Sequence, residues 1–217
     1  PRSGSAVHFG GRLRFGPDGA LYATFGDRGA RERAQNTADP AGSVYRIPPD
    51  GKPQLFSSGH RNPQGLDVHP VTGVLWAHEH GPRGGDEVNL LKPGRNYGWP
   101  RVTFGREYSG GEIAASGTGP GFEPPLHVWV PSIAPSGMAF YKGDMFPFLN
   151  GHLLVGSLKF KQLYLVVLEN GLPARESVMM DGAIGRVRDV AIAYDGSVLL
   201  LSDEEEGGLY RIAEAGQ

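Results

Sequence analysis

Two loops rich in charged and polar side chains flank a pair of strand-like runs in residues 59–87. The first loop carries His60-Arg61-Asn62, and the second runs through residues 78–87. Imidazole moves protons near neutral pH, guanidinium binds anions, and carboxylate or main-chain oxygens bind hard cations. Loops held at strand ends are where binding and catalytic groups tend to lie. The pattern predicts a site at the end of the sheet where these two loops meet.

Five further positions of the same chemical types occupy comparable loops near strand ends: His8, Asp27, Lys159, Arg186 and Arg188. We expect the fold to direct all of these loops at one spot. Arg186 and Arg188 stand at i and i+2, so on a strand both guanidinium groups point to one face. The alternative for this pair is a solvated edge strand, in which Asp189 neutralises one of the two arginines.

The histidines allow more than one interpretation. His8 is the candidate general base, because imidazole titrates nearest neutral pH, and a surface histidine near a frayed terminus is the alternative. Asp27 either orients a histidine or serves only as a turn aspartate. His69, His78 and His80 together suggest zinc, but no further ligand has a convincing spacing.

Length and composition indicate a globular class of protein. The chain has 217 residues, of which 39% are hydrophobic and 20% charged, enough for a substantial core. A net charge of −2 gives no reason to expect nucleic acid or a membrane surface as a partner. No run approaches the roughly 18 apolar residues of a membrane span. Without cysteine there are no disulfides or thiolate metal ligands.

Short apolar runs alternate with turns along the chain, which contains 34 glycines and 18 prolines. Pro-Asp-Gly and Asp-Gly between runs rich in Val, Tyr, Phe and Leu predict β-hairpins, because Gly accepts positive φ and Asp bonds within its own turn. One form of strand, turn, strand and polar loop recurs in residues 12–27, 65–81, 137–162 and 189–205. Repeats about 50 to 70 residues apart predict an all-β propeller of four-stranded antiparallel blades, about four of them in this chain.

Residues 100–127 interrupt this repeat with Gly and Ser and little apolar content. The stretch is too long for a plain connector, so we expect a lid or a binding loop. Propellers close with about four to eight blades. We therefore expect residues 1–217 to form a single propeller domain that lacks its first blades. No signal peptide is visible, and the chain begins at Pro1 without a methionine, as in a processed or truncated piece.

Eight short motifs stand in one order along nearly the whole chain: HFGGRL (8–13), GDRG (26–29), GHRNPQGL (59–66), EHGPRGGDE (79–87), NYGWP (96–100), PSIAPSGMAFY (131–141), GSLK (156–159) and RVRDV (186–190). Together they resemble the soluble pyrroloquinoline-quinone (PQQ)-dependent aldose sugar dehydrogenases, which are relatives of soluble glucose dehydrogenase. The resemblance implies a six-bladed β-propeller with the quinone over its central axis, of which this chain is roughly the last two-thirds.

The resemblance implies an oxidoreductase that oxidises the C1 hydroxyl of aldose sugars to lactones by hydride transfer to PQQ. No unmodified side chain accepts a hydride, so such a reaction needs a cofactor. His8 matches the family's general base through HFGGRL, and Asp27 matches the carboxylate that orients it. Arg61 matches a cation at the quinone oxygens, where it would polarise the reacting carbonyl.

The same resemblance implies which residues hold the cofactor. PQQ carries three carboxylates, so binding it takes several fixed cations. The positions that match the family's cofactor contacts are Arg61, Asn62, Lys159, Arg186 and Arg188. Two departures from the family weaken the expected affinity and turnover. A glutamine contact from the first blade is absent, and the segment between Asn36 and Gly42 is shorter than in relatives.

Calcium is the second cofactor that the resemblance implies. The backbone carbonyls of Gly81 and Pro82 match a site for an ion that also touches the quinone, and oxygen ligands suit Ca²⁺. Glu87 with the carbonyl of Tyr97 resembles a second, structural calcium site found in some relatives.

The resemblance also implies partners and a compartment. The substrate would be an aldose, and the electrons would leave to an external acceptor. A homodimer is compatible with the family. The protein would be periplasmic or secreted.

Two other functions remain open. The first is a non-catalytic propeller that binds a protein or glycan, since this fold serves many uses. Such a module has no need to combine His8 with the full set of cations. The second is a calcium-dependent propeller lactonase, which would direct several carboxylate or Asn side chains at one ion on the axis.

Overall fold

The computed structural model describes residues 3–215, and the chain is built almost wholly of β-strands. Within that range the helices are two short 3-10 turns, Arg31–Gln35 and Pro147–Leu149. None of the described helices is long and apolar enough to cross a membrane. The chain divides into two compact units: the residues up to Val68 with Gly73–Ser132, and His69–Thr72 with the residues from Ile133 onward.

The first unit contains two sheets. Its strands are β1 (Gly10–Phe15), β2 (Leu21–Phe25), β3 (Ser43–Ile47), β4 (Gln54–Ser58), β5 (Pro63–Val68), β6 (Leu75–Glu79), β7 (Asp86–Leu90), β8 (Arg95–Asn96) and β9 (His127–Trp129). One sheet has the order β1-β2-β3-β4-β8, and the other has the order β5-β6-β7-β9. Neighbouring strands are antiparallel, except that the two-residue β8 adds to β4 in parallel.

Turns of the predicted type join these strands. Between β1 and β2 the amide of Gly19 donates to the carbonyl of Gly16 at 3.0 Å, and Oδ1 of Asp18 accepts the amide of Ala20 at 3.2 Å. Because consecutive strands run antiparallel, the loops before β1 and after β2, β4 and β6 all lie at one end of their sheets. These are the loops that carry the candidate residues of the first unit.

Apolar side chains from both sheets form the core of the first unit. They are Ala20, Tyr22, Val44, Leu66, Leu75, Ala77, Leu91 and Tyr97. On β6 the core members Leu75 and Ala77 alternate, so they lie on one face of the sheet. The core thereby fixes the strand ends from which the polar loops project.

The second unit also contains two antiparallel sheets. Its strands are β10 (Pro135–Phe140), β11 (Leu153–Ser157), β12 (Gln162–Glu169), β13 (Leu172–Asp181), β14 (Val187–Ile192), β15 (Val198–Ser202) and β16 (Leu209–Ile212). The sheets have the orders β10-β11-β12-β13 and β14-β15-β16. Their shared core includes Tyr141, Leu154, Leu163, Val187 and Leu200, all fully buried.

The predicted all-β architecture of blade-like antiparallel sheets, about four in number, is confirmed. Each repeated segment forms the expected hairpin: residues 12–27 give β1–β2, 65–81 give β5–β6, 137–162 include β10–β11, and 189–205 give β14–β15. The sheets have three to five strands and not uniformly four, because β8 adds to one sheet and the last sheet ends at β16. Between β8 and β9 the described chain forms no strand, only isolated bridges at Arg106.

Candidate active site

His8 and Asp27 form a direct pair at one end of the first unit. Nδ1 of His8 lies 2.6 Å from Oδ1 of Asp27, whose side chain is 1% exposed, while that of His8 is 21% exposed. Burial raises the pKa of Asp27, but hydrogen bonds from His8, the amide of Gly29 and the indole of Trp99 bring it below its ordinary value. Asp27 is therefore a carboxylate at neutral pH. It engages Nδ1 of His8, so Nε2 is the ring nitrogen that can meet a ligand.

The backbone at His8 is held by the loop that follows β2. His8 has a φ of 52°, in the left-handed region that is uncommon for residues with a side chain. Its carbonyl accepts the amide of Arg28 at 3.3 Å. The Arg28 guanidinium donates to the carbonyls of Val7, at 3.1 Å, and Ser5, and its Cζ lies 3.4 Å from the ring centre of Phe9. These contacts give His8 a defined position although it lies near the start of the chain.

Arg61 is a buried cation next to this pair. Its carbonyl accepts the amide of Asp27 at 2.8 Å, which joins the loops after β2 and β4. Its Nη1 donates to the carbonyls of His80 at 3.0 Å and Gly81 at 2.7 Å. The guanidinium thus contacts one of the two carbonyls predicted to bind calcium. A metal ion at that oxygen would require the guanidinium to turn away, because the two positive charges repel.

The loop with the two predicted calcium carbonyls is fixed by Asp86. Its Oδ1 accepts the amide of Gly81 at 2.8 Å and the hydroxyl of Ser132 at 3.0 Å. Ser132 also donates to the carbonyl of Pro82 at 3.4 Å. Glycine is required at position 81, because a β-carbon there would lie 2.2 Å from the carbonyl oxygen of Gly85. The donors at Gly81 and Pro82 are backbone carbonyl oxygens, which are ordinary ligands for calcium.

Glu79 fixes the loop that carries Arg61. Its Oε2 accepts the backbone amides of Arg61 at 2.5 Å and Asn62 at 3.3 Å. Its Oε1 accepts Nδ1 of His60 at 2.8 Å and Nδ2 of Asn89 at 3.2 Å. One buried carboxylate therefore ties together three consecutive residues of the loop, and the opposite nitrogen of His60 is held by the hydroxyl of Ser57 at 2.9 Å.

The side chain of Asn62 joins this loop to the start of β1. Its Oδ1 accepts the amide of Gly10 at 3.2 Å and Nε2 of Gln64 at 2.9 Å. Because the amide oxygen is engaged, the amide nitrogen is the group of Asn62 that suits the predicted contact with a quinone oxygen.

A cavity of about 80 Å³ opens beside His8 in the first unit. Its walls are His8, Asp27, Gly29, Arg31, Arg61, Pro82, Trp99, Glu107 and Tyr108. Arg31 forms a two-point ion pair with Glu107, at 2.6 and 3.2 Å, which fixes part of the long loop between β8 and β9. The cavity is smaller than the roughly 300 to 1,000 Å³ of a typical ligand pocket. It therefore suits the reacting end of a ligand and not a whole one.

A second, smaller cavity of about 10 Å³ lies in the first unit. Glu79, Glu87 and Tyr97 are among its lining residues, as is Arg61, and its volume matches a single water molecule or ion. Glu79 and Glu87 face each other across β6 and β7. Burial, the charge of Glu79 and that of Asp86 raise the pKa of Glu87 well above its ordinary value. A bound cation would relieve this repulsion, so the residues predicted for the structural calcium site fit that role.

The other predicted cofactor residues belong to the second unit. Lys159 is exposed, and its Nζ lies 4.9 Å from the ring centre of Phe160. Arg186 and Arg188 both reach Asp203, at 2.9 and 2.7 Å, so they share one face as their spacing predicts. Asp203 neutralises both arginines, because the pairing of β14 with β15 brings the start of the next loop alongside them.

The alternative metal interpretations receive no support from the side chains. Among residues 3–215 no group of three or more His, Cys, Asp or Glu side chains is placed to hold a metal ion. The zinc interpretation of the three histidines and the acidic ion site of a propeller lactonase both call for such a group.

The first unit brings together most of the residues that the sequence singled out: His8, Asp27, Arg61, Asn62, Gly81, Pro82, Glu87 and Tyr97. Sequence reasoning assigned no role to Trp99 or to Glu79. Trp99 donates through its indole nitrogen to Oδ2 of Asp27 at 2.8 Å. Both residues lie inside motifs already noted, NYGWP and EHGPRGGDE, so the motifs mark them as residues of the family pattern. The neighbouring sequence does not indicate which side chains they contact.

Comparison with known proteins identifies the family of the chain. The family profile described as glucose/sorbosone dehydrogenase matches residues 1–211. The chain is 38% identical to the aldose sugar dehydrogenase YliI of Escherichia coli (strain K12), over 98% of this chain and 62% of that protein. A crystal structure of a glucose dehydrogenase is 40% identical with a TM-score of 0.93, over 96% of this chain and 65% of the other.

A third relative was solved with a cofactor. It is the PQQ-bound form of the aldose sugar dehydrogenase from Streptomyces coelicolor, which is 31% identical with a TM-score of 0.78 over 96% of this chain and 62% of that one. The chain spans less than two-thirds of the length of each of these relatives. The family match covers nearly every residue, and the blade-like antiparallel sheets accord with it. The chain belongs to the glucose/sorbosone dehydrogenase family.

Proposed function

We propose that this chain carries the proton-transfer site and quinone-binding residues of a PQQ-dependent aldose dehydrogenase. The reaction oxidises the C1 hydroxyl of an aldose to a lactone. The adjacency of His8, Asp27 and Arg61 beside one cavity supports this proposal most directly. A relative of 31% identity that was solved in a PQQ-bound form supports PQQ as the cofactor.

His8 acts as the general base. With Nδ1 bonded to the Asp27 carboxylate, Nε2 accepts the proton of the sugar hydroxyl, and the adjacent negative charge stabilises the imidazolium that forms. Asp27 is suited to this role because its pKa is lowered, so it keeps its charge while the imidazole changes its own. PQQ supplies, when bound, the acceptor for the hydride that leaves C1.

Arg61 and Asn62 hold the reacting side of the cofactor, and Lys159, Arg186 and Arg188 bind its carboxylates. Arg61 places a positive charge at the cavity wall, where it favours negative charge on an adjacent oxygen. Arg186 and Arg188 are half-exposed and paired with one carboxylate, that of Asp203. An anionic ligand can displace this carboxylate from the two arginines. Arg186 and Arg188 therefore suit a carboxylate of the cofactor.

Calcium is proposed at two places. The carbonyls of Gly81 and Pro82 would hold one ion if the guanidinium of Arg61 moves toward the quinone. The cavity between Glu79 and Glu87 would hold the other, and its size and acidity support this assignment.

The remaining assignments follow from the resemblance to the family. We propose that residues 1–217 form blades of a single propeller, that the electrons leave to an external acceptor, and that the protein works in the periplasm or outside the cell. A homodimer is compatible with this proposal.

A dye-reduction assay tests the function. The purified chain is incubated with PQQ and Ca²⁺ and then given glucose and an artificial electron acceptor. Turnover is expected, together with a change in the quinone absorbance on binding. Absence of both at micromolar protein would overturn the proposal and favour a non-catalytic binding module.

A matched pair of variants tests the base. His8→Ala should abolish turnover and leave quinone binding within about threefold, because His8 contacts the substrate's proton and not the cofactor's charges. His127→Ala, in β9, is the control and should retain activity. Equal loss of quinone binding and turnover in His8→Ala would make His8 a structural residue.

A further inference from the structure

Trp99 holds the second oxygen of the carboxylate that orients His8. The indole is 6% exposed, and its Nε1 donates to Oδ2 of Asp27 at 2.8 Å. The other oxygen, Oδ1, accepts Nδ1 of His8 at 2.6 Å and the amide of Gly29 at 2.7 Å. Both oxygens of Asp27 are therefore engaged, and the plane of the carboxylate is fixed by a donor on each side.

The same indole lies beside two guanidinium groups. The Cζ atoms of Arg61 and Arg31 are 5.4 and 5.6 Å from its ring centre, within the range of cation–π attraction. Arg61 is the cation proposed to face the quinone. Arg31 is paired with Glu107 on the long loop. Trp99 thus touches the base-orienting carboxylate and the cofactor-facing cation at once.

The backbone of Trp99 is anchored to the loop that carries Arg61. Its amide donates to the carbonyl of Gly59 at 2.9 Å, and its own carbonyl accepts Nε2 of Gln35 at 2.6 Å. The ring therefore has a fixed position relative to both partners. A rigid donor of this kind sets the orientation of a carboxylate, which would otherwise turn about its own bond axis.

We propose that Trp99 is a positioning residue for the dehydrogenase reaction. It fixes the Asp27 carboxylate through its N–H and the Arg61 guanidinium through its ring face. The proposal rests on the function proposed above. It assigns two tasks to one side chain, so a variant that removes only the N–H and a variant that removes both tasks test it.

The first variant is Trp99→Phe, which removes the N–H and keeps an aromatic ring. We expect kcat to fall about tenfold to a hundredfold, as for loss of one hydrogen bond to a charged group. The KM for glucose and the Kd for PQQ should stay within about twofold, since the ring face is retained. Trp99→Leu removes both tasks and should weaken PQQ binding in addition. Trp76→Phe, a buried tryptophan of β6 with no role in the proposed site, is the control and should keep wild-type kcat.

A measurement without quinone separates this proposal from the proposed function. In the unliganded chain the imidazole N–H proton of His8, assigned by its absence in His8→Ala, should give a downfield NMR signal typical of a strong His–Asp hydrogen bond. Trp99→Phe should broaden or shift that signal upfield, and Trp76→Phe should not. If the wild-type chain shows the signal but no turnover, the proposed function is contradicted. The comparison of the signal in Trp99→Phe and Trp76→Phe still tests whether Trp99 positions the His8–Asp27 pair.

The opposite results would overturn the proposal. A wild-type His8 signal and kcat in Trp99→Phe would show that the N–H is not needed. Equal losses in Trp99→Phe and Trp76→Phe, after correction for the folded fraction, would show only a stability effect. If Trp99→Phe does not fold, 3-benzothienylalanine at position 99 replaces the N–H by sulfur at nearly constant shape, and the same expectations apply.

Discussion

Gly26 lies directly against the carbonyl of His8. A β-carbon at Gly26 would come within 2.2 Å of that oxygen and 3.1 Å of Oδ1 of Asn62. The amide of Gly26 also donates to the carbonyl of Phe9 at 3.2 Å, so the two segments touch along their backbones. The left-handed backbone of His8 and its approach to Asp27 both depend on this close contact.

Gly26→Ala should therefore displace His8. We expect the free energy of unfolding to fall by about 1 to 3 kcal/mol, as for overpacking of a tight contact, and kcat to fall further than the loss of folded protein explains. Chemical denaturation and the dye assay measure the two effects. Gly111→Ala is the matched control, because nothing lies within 4 Å of a β-carbon there. Unchanged activity in Gly26→Ala would show that His8 tolerates displacement.

Asp27→Asn should change the pH dependence of stability. The pKa of Asp27 is lowered in the folded state, so its ionised form contributes stability above the unfolded pKa of about 3.9 and loses it as the pH falls through the folded pKa. We expect the difference in unfolding free energy between wild type and Asp27→Asn to be about 1.5 to 3 kcal/mol at pH 6. It should shrink below about pH 4. Urea titrations at several pH values measure it, and a difference that grows toward acid would contradict the assignment.

The hairpins could be predicted because their signals are local. Asp-Gly turns and alternating apolar residues determine β1–β2 and β14–β15 within about 16 residues of chain, and the pairing confirms both. The clustering of polar loops at one end of each sheet follows from antiparallel order. These features need no knowledge of distant contacts.

The contacts within the site could not be predicted in the same way. Trp99 reaches Asp27 across 72 positions, and Arg31 reaches Glu107 across 76. No spacing rule relates such residues, since only the packed fold brings them together. The contact of Arg186 and Arg188 with Asp203 could not be predicted for the same reason. Asp189 is adjacent in sequence, whereas Asp203 is adjacent across the strand pair.

Glu79→Gln should release the loop that carries Arg61. In glutamine an NH2 group replaces one carboxylate oxygen, and this group cannot accept a hydrogen bond. The side chain therefore cannot accept all four hydrogen bonds of Glu79, and we expect a loss of about 1.5 to 3 kcal/mol in unfolding free energy. PQQ affinity should also fall, which a quinone absorbance titration measures. Asp67→Asn breaks another buried carboxylate contact, with Arg14 at 2.6 Å, and serves as the control for stability alone. If both variants bind PQQ with equal affinity, Glu79 does not support quinone binding.

Calcium should stabilise the chain through Glu87. An ion in the small cavity would add about 2.7 kcal/mol to the unfolding free energy when calcium is a hundredfold above its Kd, and so raise the melting temperature. Glu87→Gln should reduce this gain, and the exposed Glu112→Gln should not. Thermal scans with calcium and with a chelator, both without quinone, make the measurement. The same calcium response in Glu87→Gln would place the ion elsewhere.

Asp203→Asn should tighten quinone binding. Asp203 holds both Arg186 and Arg188, through contacts of 2.7 to 3.2 Å, yet all three side chains are at least one-third exposed. Exposed ion pairs contribute only about 0 to 1 kcal/mol, so removing the carboxylate costs little stability and leaves two guanidinium groups available to an anion. We expect the Kd for PQQ to fall severalfold at low salt and the gain to shrink as salt screens the charges. Asp195→Asn, which breaks the Asp195–Arg211 pair within the same sheet, should leave the Kd unchanged. Weaker binding in Asp203→Asn would instead mean that Asp203 orients the two arginines for the cofactor.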